Sequence, residues 1–132
     1  CVNTSHPKYK YIVGRPDGVT ENNCIIEVKC PWTNRRSSGD VAISDSYYSQ
    51  IQVYLEIFNV EIAHYVEYFT KEGKEDVFTI IPIVRDRKWF NKVIPIIDKF
   101  YQEMKKYQEI GDLERHPVRI AITKWEEKYY TP

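Results

Sequence analysis

Apolar and polar positions along the chain fall into six segments that set the expected architecture. Tyr9–Arg15 is rich in aromatic and β-branched residues and runs into the turn sequence Pro16-Asp17-Gly18, which predicts a strand over 9–15. Cys24–Cys30 (C-I-I-E-V-K-C) is halted by Pro31 and predicts a second strand, paired with the first as a hairpin. Over Ser46–Phe58 the spacing changes to three and four. Tyr47, Ile51, Tyr54, Leu55 and Phe58 then share one helix face, with Ser44, Asp45 or Ser46 as N-cap. Ile62–Thr70 and Val77–Arg85 return to a strand pattern on either side of a charged turn, residues 71–76. After Asp86 a longer helical pattern carries Phe90, Val93, Ile94, Ile97, Phe100, Tyr101 and Met104 on one side. Pro95 is expected to kink or bound it, and Gly111 to end it. The tail, 113–132, has no settled pattern: Val118–Ile122 fits a short strand or a helical turn. The order β-β-α-β-β-α predicts an α/β fold, helices flanking a central mixed sheet.

Composition narrows the setting. A chain of 132 residues suits one domain, residues 1–132. The 19 Lys+Arg balance the 19 Asp+Glu, so any nucleic-acid contact must come from local patches. No apolar run reaches the roughly 20 residues of a bilayer span, so no membrane is expected as a partner. Three cysteines, Cys1, Cys24 and Cys30, are too few for a disulfide scaffold or a four-ligand zinc site, and an intracellular, reducing setting is expected. The chain opens on Cys1, not Met, and reaches a strand-like segment almost at once. It is therefore read as the C-terminal part of a longer domain.

Chemistry concentrates at Asp17 and Glu27-Val28-Lys29. Alternation along a strand puts Glu27 and Lys29 on one face with Ile25, and Ile26 and Val28 into the opposite, apolar layer. Asp17, at the end of the preceding strand, is expected to approach Glu27 across the hairpin. Two neighbouring carboxylates repel unless a cation lies between them. Oxygen ligands with retained waters describe Mg²⁺, with Mn²⁺ as a substitute, better than zinc. An E-x-K pair is commonly a solvated ion pair and P-D-G a plain turn. Together, in this order, they are more specific.

With those residues in view, P-D-G-V, I-I-E-V-K-C-P-W and Y-Y-S-Q-I-Q-V-Y resemble the PD-(D/E)xK nuclease superfamily. More narrowly they resemble the phage lambda exonuclease and YqaJ-type viral recombinase group. Val84-Arg85-Asp86, Trp89-Phe90, Pro95 and Phe100-Tyr101 continue the resemblance, which spans about residues 9 to 104. It implies a restriction-endonuclease-like core, with Asp17 and Glu27 as metal ligands, the Val28 carbonyl as a third, and Lys29 as the catalytic lysine. Gln50 falls on the catalytic glutamine of the supporting helix. Gln52 and Tyr54 fall on supporting positions. The group carries a further Glu on an upstream helix and an Arg for the 5′ phosphate, and neither lies within this chain. Glu21 reads as a solvated turn residue.

Arg15, Trp32, Arg35 and Arg36 are candidate nucleic-acid contacts, the arginines for phosphates and Trp32 for stacking on a base. His64 reads as structural, and Cys24 and Cys30 as packing thiols. The function implied is a Mg²⁺-dependent exonuclease acting 5′ to 3′ on DNA duplex ends, in viral, phage or mobile-element recombination or genome processing. A single-strand annealing protein and a homo-oligomer are the implied partners. The alternatives are a structure-selective or RNA-cleaving endonuclease of the same superfamily, and a non-catalytic module that binds nucleic acid or protein.

Overall fold

A computed structural model describes residues 3–31, 43–70, 76–111 and 113–130. Within it the chain forms two compact units, Cys1–Phe90 and Asn91–Pro132.

The first unit is built on a four-stranded mixed sheet. Its strands are β3 (Gly18–Val19), β4 (Cys24–Lys29), β5 (Ile62–Phe69) and β6 (Val77–Val84), in the order β3-β4-β5-β6. β4 and β5 run parallel, with Ile25 beside Ala63, Glu27 beside Tyr65 and Lys29 beside Glu67. The other two pairings are antiparallel. A parallel pair needs a crossover, and α1 (Asp45–Phe58) supplies it. Ser44 caps that helix by accepting from the Tyr47 amide, and Asn59 closes it in a left-handed conformation. Ile51 and Leu55 of α1, both fully buried, pack onto Ile25, Ala63, Tyr65 and Ile83 of the sheet.

Two expectations are corrected. Tyr9–Arg15 is not a strand paired with β4. His6 Nδ1 accepts from the Lys8 and Tyr9 amides, each at 3.1 Å, and folds that segment into a turn despite its strand-like composition. Only Val13–Gly14 (β2) is extended, and it pairs with Thr4–Ser5 (β1). Pro16-Asp17-Gly18 therefore leads into β3, and the hairpin turn falls at 20–23, where Asn23 takes a positive φ of 55°. Gly14 lets β2 approach α1: a Cβ there would come within 2.7 Å of Ile57 Cδ1 and 2.8 Å of the Tyr54 ring.

The second correction is the sidedness of β4. The apolar layer is the face of Ile25, because α1 covers it, so Glu27 and Lys29 point into the covered side. On the opposite face Ile26 is half-buried and Val28 is 39% exposed. Phe78, Ile80 and Val84, on the corresponding face of β6, are exposed as well.

Arg85 and Gln52 lock the far end of β6. The Gln52 amide, wholly buried, donates to the Val84 carbonyl at 2.8 Å and accepts from the Asp86 amide at 2.7 Å. Asp86 in turn caps α2 (Arg87–Glu109) by accepting from the Trp89 amide at 2.9 Å. The helix continues through Pro95, and Gly111, with a φ of 70°, follows its end. In the second unit the tail becomes a 3₁₀ turn (Leu113–Arg115) and then α3 (Pro117–Tyr130), which decides for helix over strand at Val118–Ile122. His116, ahead of α3, lies edge-on to Phe100 and Tyr107 of α2 and accepts from the Val118 amide.

Candidate active site

β4 places the acidic and basic groups together. Glu27 is 3% exposed, and its Oε1 accepts from Lys29 Nζ at 2.5 Å. Its other oxygen, Oε2, is buried and has no hydrogen-bond partner among the described residues. Gly18 pairs with Ile26, so Asp17 stands opposite Glu27 by continuation of the register. Its Oδ2 accepts from the Val28 amide at 2.8 Å. A strand residue's N–H and C=O leave along the same edge, so the Val28 carbonyl shares the edge that Asp17 occupies. β3 is paired only over Gly18–Val19, which leaves Val28 beyond its ladder.

An orphaned, buried carboxylate oxygen is costly, and its presence beside a second carboxylate calls for a missing partner. Burial by itself would lower the Lys29 ammonium. The hydrogen bond from Lys29 to Glu27, with the charges of Glu27 and Asp17, outweighs burial and holds its pKa above the usual lysine value. Lys29 is therefore a fixed cation at neutral pH. It pairs with Oε1 and leaves Oε2 without a partner among the described residues. Among the described residues no three His, Cys, Asp or Glu side chains cluster as a metal cage. Two carboxylates and a backbone carbonyl remain as donors, a hard set that suits a cation retaining several waters. The residues fit such an ion.

α1 carries Gln50, Gln52 and Tyr54. Gln50 lies on α1, where its amide donates to Tyr54 Oη at 2.8 Å, and it makes no hydrogen bond to Glu27 or Lys29. Tyr54 is thus tied to Gln50 and packed over Gly14. Gln52 faces away from this cluster and serves the β6–α2 junction. Arg15 is exposed, two residues before Asp17. Trp32, Arg35 and Arg36 lie outside the described residues, as does Cys1. Cys24 is half-buried and Cys30 exposed, so Cys30 is not a packing thiol. His64 is half-buried on β5, on the sheet face opposite Glu27, and lines an open recess with Thr20, Cys24 and Glu61.

Sequence reasoning overlooked Tyr47. Lys29 Nζ sits 5.1 Å from the centre of its ring. The ring in turn lies 5.8 Å from that of Tyr65, which is 1% exposed. The signal was the position of Tyr47 one helical turn before Gln50, in the same Y-Y-S-Q stretch. Glu67, 9% exposed and beside Lys29 in the register, was also missed.

The fold has a counterpart in solved structures. The alkaline exonuclease LHK-Exo of Laribacter hongkongensis, in its crystal structure with dAMP, superposes with a TM-score of 0.72 over 89% of this chain, at 22% identity. A second crystal structure of LHK-Exo gives a TM-score of 0.65 at the same identity and coverage. The chain shares the mixed α/β fold of these structures. It spans about 60% of the length of the LHK-Exo chain. No protein-family model and no curated protein matches the sequence. The α/β core expected from the sequence, a mixed sheet with flanking helices, is borne out by the strand order and by this likeness. Among the described residues no helix is long and apolar enough to cross a membrane.

Proposed function

We propose that the chain is the catalytic part of a metal-dependent DNA exonuclease that hydrolyses phosphodiester bonds at duplex ends. The observation that carries this reading is the buried, unpartnered Glu27 Oε2, set between Lys29 and the Asp17 edge of β4 on a nuclease fold.

Asp17, Glu27 and the Val28 carbonyl would hold the ion, Mg²⁺ or Mn²⁺. When bound, it supplies Lewis acidity to the phosphodiester and to the attacking water. The remaining work falls to the chain itself. Water adds to phosphorus and the ester P–O bond breaks, giving a phosphate on one product and a hydroxyl on the other. The Lys29 ammonium orients the water and offsets negative charge that grows on the phosphoryl oxygens. Burial by α1 and Tyr47 keeps that cation in a low-dielectric setting, where a point charge is worth more than in water. Arg15, near Asp17 on the exposed side, offers a phosphate contact.

LHK-Exo is an alkaline exonuclease and was crystallised with dAMP, which supports DNA as the polymer and a nucleotide as the product. The 5′-to-3′ direction, a role in viral- or phage-type recombination, a homo-oligomer and an annealing partner belong to the same proposal. They rest on the sequence resemblance.

The test is digestion of 5′-phosphorylated linear duplex by the full chain, with and without Mg²⁺ or Mn²⁺. Mononucleotide release that needs the metal and disappears in the Asp17→Asn, Glu27→Gln double variant is expected. Cutting of closed circular DNA or of RNA at equal rate would favour an endonuclease. Absence of any cleavage, with duplex binding retained, would favour a binding module.

A further inference from the structure

The resemblance that identified Lys29 says nothing of what holds its ammonium in place. A lysine has four rotatable side-chain bonds, and a single hydrogen bond to Glu27 Oε1 restrains its tip from one side only. The other side is occupied by an aromatic face. Lys29 Nζ lies 5.1 Å from the Tyr47 ring centre, within the range over which a ring quadrupole attracts a cation. Tyr47 cannot easily swing away. Its amide is bonded to the Ser44 cap at 3.4 Å, and its ring leans at 31° on the buried ring of Tyr65. The Lys29 side chain is 21% exposed, so its tip is shielded but not sealed off. Glu27 thus fixes the ammonium by charge and Tyr47 fixes it by its π face.

We infer that Tyr47 is a positioning residue for Lys29, whose ring rather than its hydroxyl holds the ammonium in the geometry used for hydrolysis. The consequence for turnover rests on the nuclease reading above. The contact itself does not.

Two measurements separate them. The first is NMR of the full chain labelled with lysine enriched in ¹³C at the ε position, the Lys29 signal being assigned by its loss in Lys29→Arg. An ε-methylene held over a ring is shifted upfield by the ring current. That shift is expected in wild type and Tyr47→Phe and absent in Tyr47→Leu, which keeps an apolar side chain against the core. A Lys29 signal at the free-lysine position in folded wild type would overturn the inference, whatever the nuclease activity.

The second measurement is turnover on linear duplex with phenylalanine, then mono-, di- and trifluorophenylalanine, placed at position 47. Fluorine drains the ring face of negative charge with little change in shape. Tyr47→Phe is expected to keep near-normal kcat, successive fluorines to lower it stepwise, and Tyr47→Leu to lower it about tenfold, with KM little changed. A flat series in a chain that cleaves DNA would overturn the positioning role. An upfield Lys29 signal in a chain that cleaves nothing would uphold the contact and overturn the nuclease reading instead.

Discussion

The Val28 amide donates to Asp17 Oδ2 at 2.8 Å, joining the residue before β3 to the next-to-last residue of β4. This bond brings a charged carboxylate to the Glu27–Val28 peptide and makes the site a property of the β3–β4 hairpin. It also separates two roles of Asp17, because an amide can still accept from Val28 while losing the charge.

Metal binding should therefore raise stability in a way that depends on charge and not on the hairpin. An ion bound only by the folded state, at a hundred times its Kd, adds about 2.7 kcal/mol. Thermal melts of wild type are expected to rise with Mg²⁺ or Mn²⁺. Asp17→Asn should melt near wild type without metal and respond little to it. An equal metal-induced shift in both proteins would remove Asp17 from the ligand set.

Much of this was legible in the sequence for a simple reason. β4, β5 and β6 are short runs rich in β-branched and aromatic residues, α1 and α2 repeat apolar residues every three or four positions, and such local patterns dictate the elements directly. What failed was decided by contacts that a hydrophobic period does not carry. Tyr9–Arg15 has strand-forming residues, but the His6 ring captures two backbone amides there, an interaction invisible to periodicity. The sidedness of β4 could not be read because both faces are apolar: Ile25 on one, Ile26 and Val28 on the other. Only the packing of α1 chooses. Asp17, Glu27 and Lys29 could be singled out because their spacing is local. Tyr47 was not, because its partner lies across a crossover.

The Arg85–Glu56 pair is the next target. Arg85 donates from Nε and Nη2 to the two oxygens of Glu56, at 2.7 and 2.6 Å, with both side chains nearly buried. Its hydrogen bonds to Glu56, opposed by burial, hold the guanidinium above its already high pKa. Arg85→Met would strand a buried carboxylate, at a cost of about 3–5 kcal/mol. The double variant Arg85→Met, Glu56→Met should recover most of that loss. Urea unfolding of the three proteins measures it, and a double variant as unstable as the single would contradict the pairing.

His6 makes stability depend on pH. Burial, reinforced by Arg85 and the nearby lysines against the pull of Glu56, lowers its pKa below 6.5. Nδ1 must stay unprotonated to accept from Lys8 and Tyr9. The folded state thus binds the proton more weakly than the unfolded state. Its contribution is complete above pH 6.5 and is lost as pH falls from there toward the folded value. His6→Asn keeps a side-chain acceptor and no titration. Between pH 7.5 and 5, its urea midpoint should fall less than that of wild type. Parallel declines in the two proteins would show that His6 does not titrate in this way.

The last prediction separates Lys29 from the carboxylates. Asp17 and Glu27 would hold the ion, so their loss should appear in metal binding as well as in rate. Lys29 bonds to Glu27 and contributes a positive point charge, which matters most as negative charge grows on phosphorus. Lys29→Met keeps the length and apolar packing of the side chain while removing that charge. Its kcat on linear duplex is expected to fall about 10²–10³-fold, a loss typical of one removed charge-stabilising donor. KM and the affinity for Mn²⁺, measured by calorimetry, should stay within a few-fold of wild type, since a transition-state interaction leaves ground-state binding intact. In that variant Glu27 Oε1 loses the one cation it pairs with among the described residues, so both of its oxygens become free acceptors. Metal affinity should then rise slightly, if it moves at all. Near-normal turnover by Lys29→Met would remove the lysine from the chemistry. A rate loss matched by an equal loss of metal affinity would make Lys29 a prop for Glu27 alone.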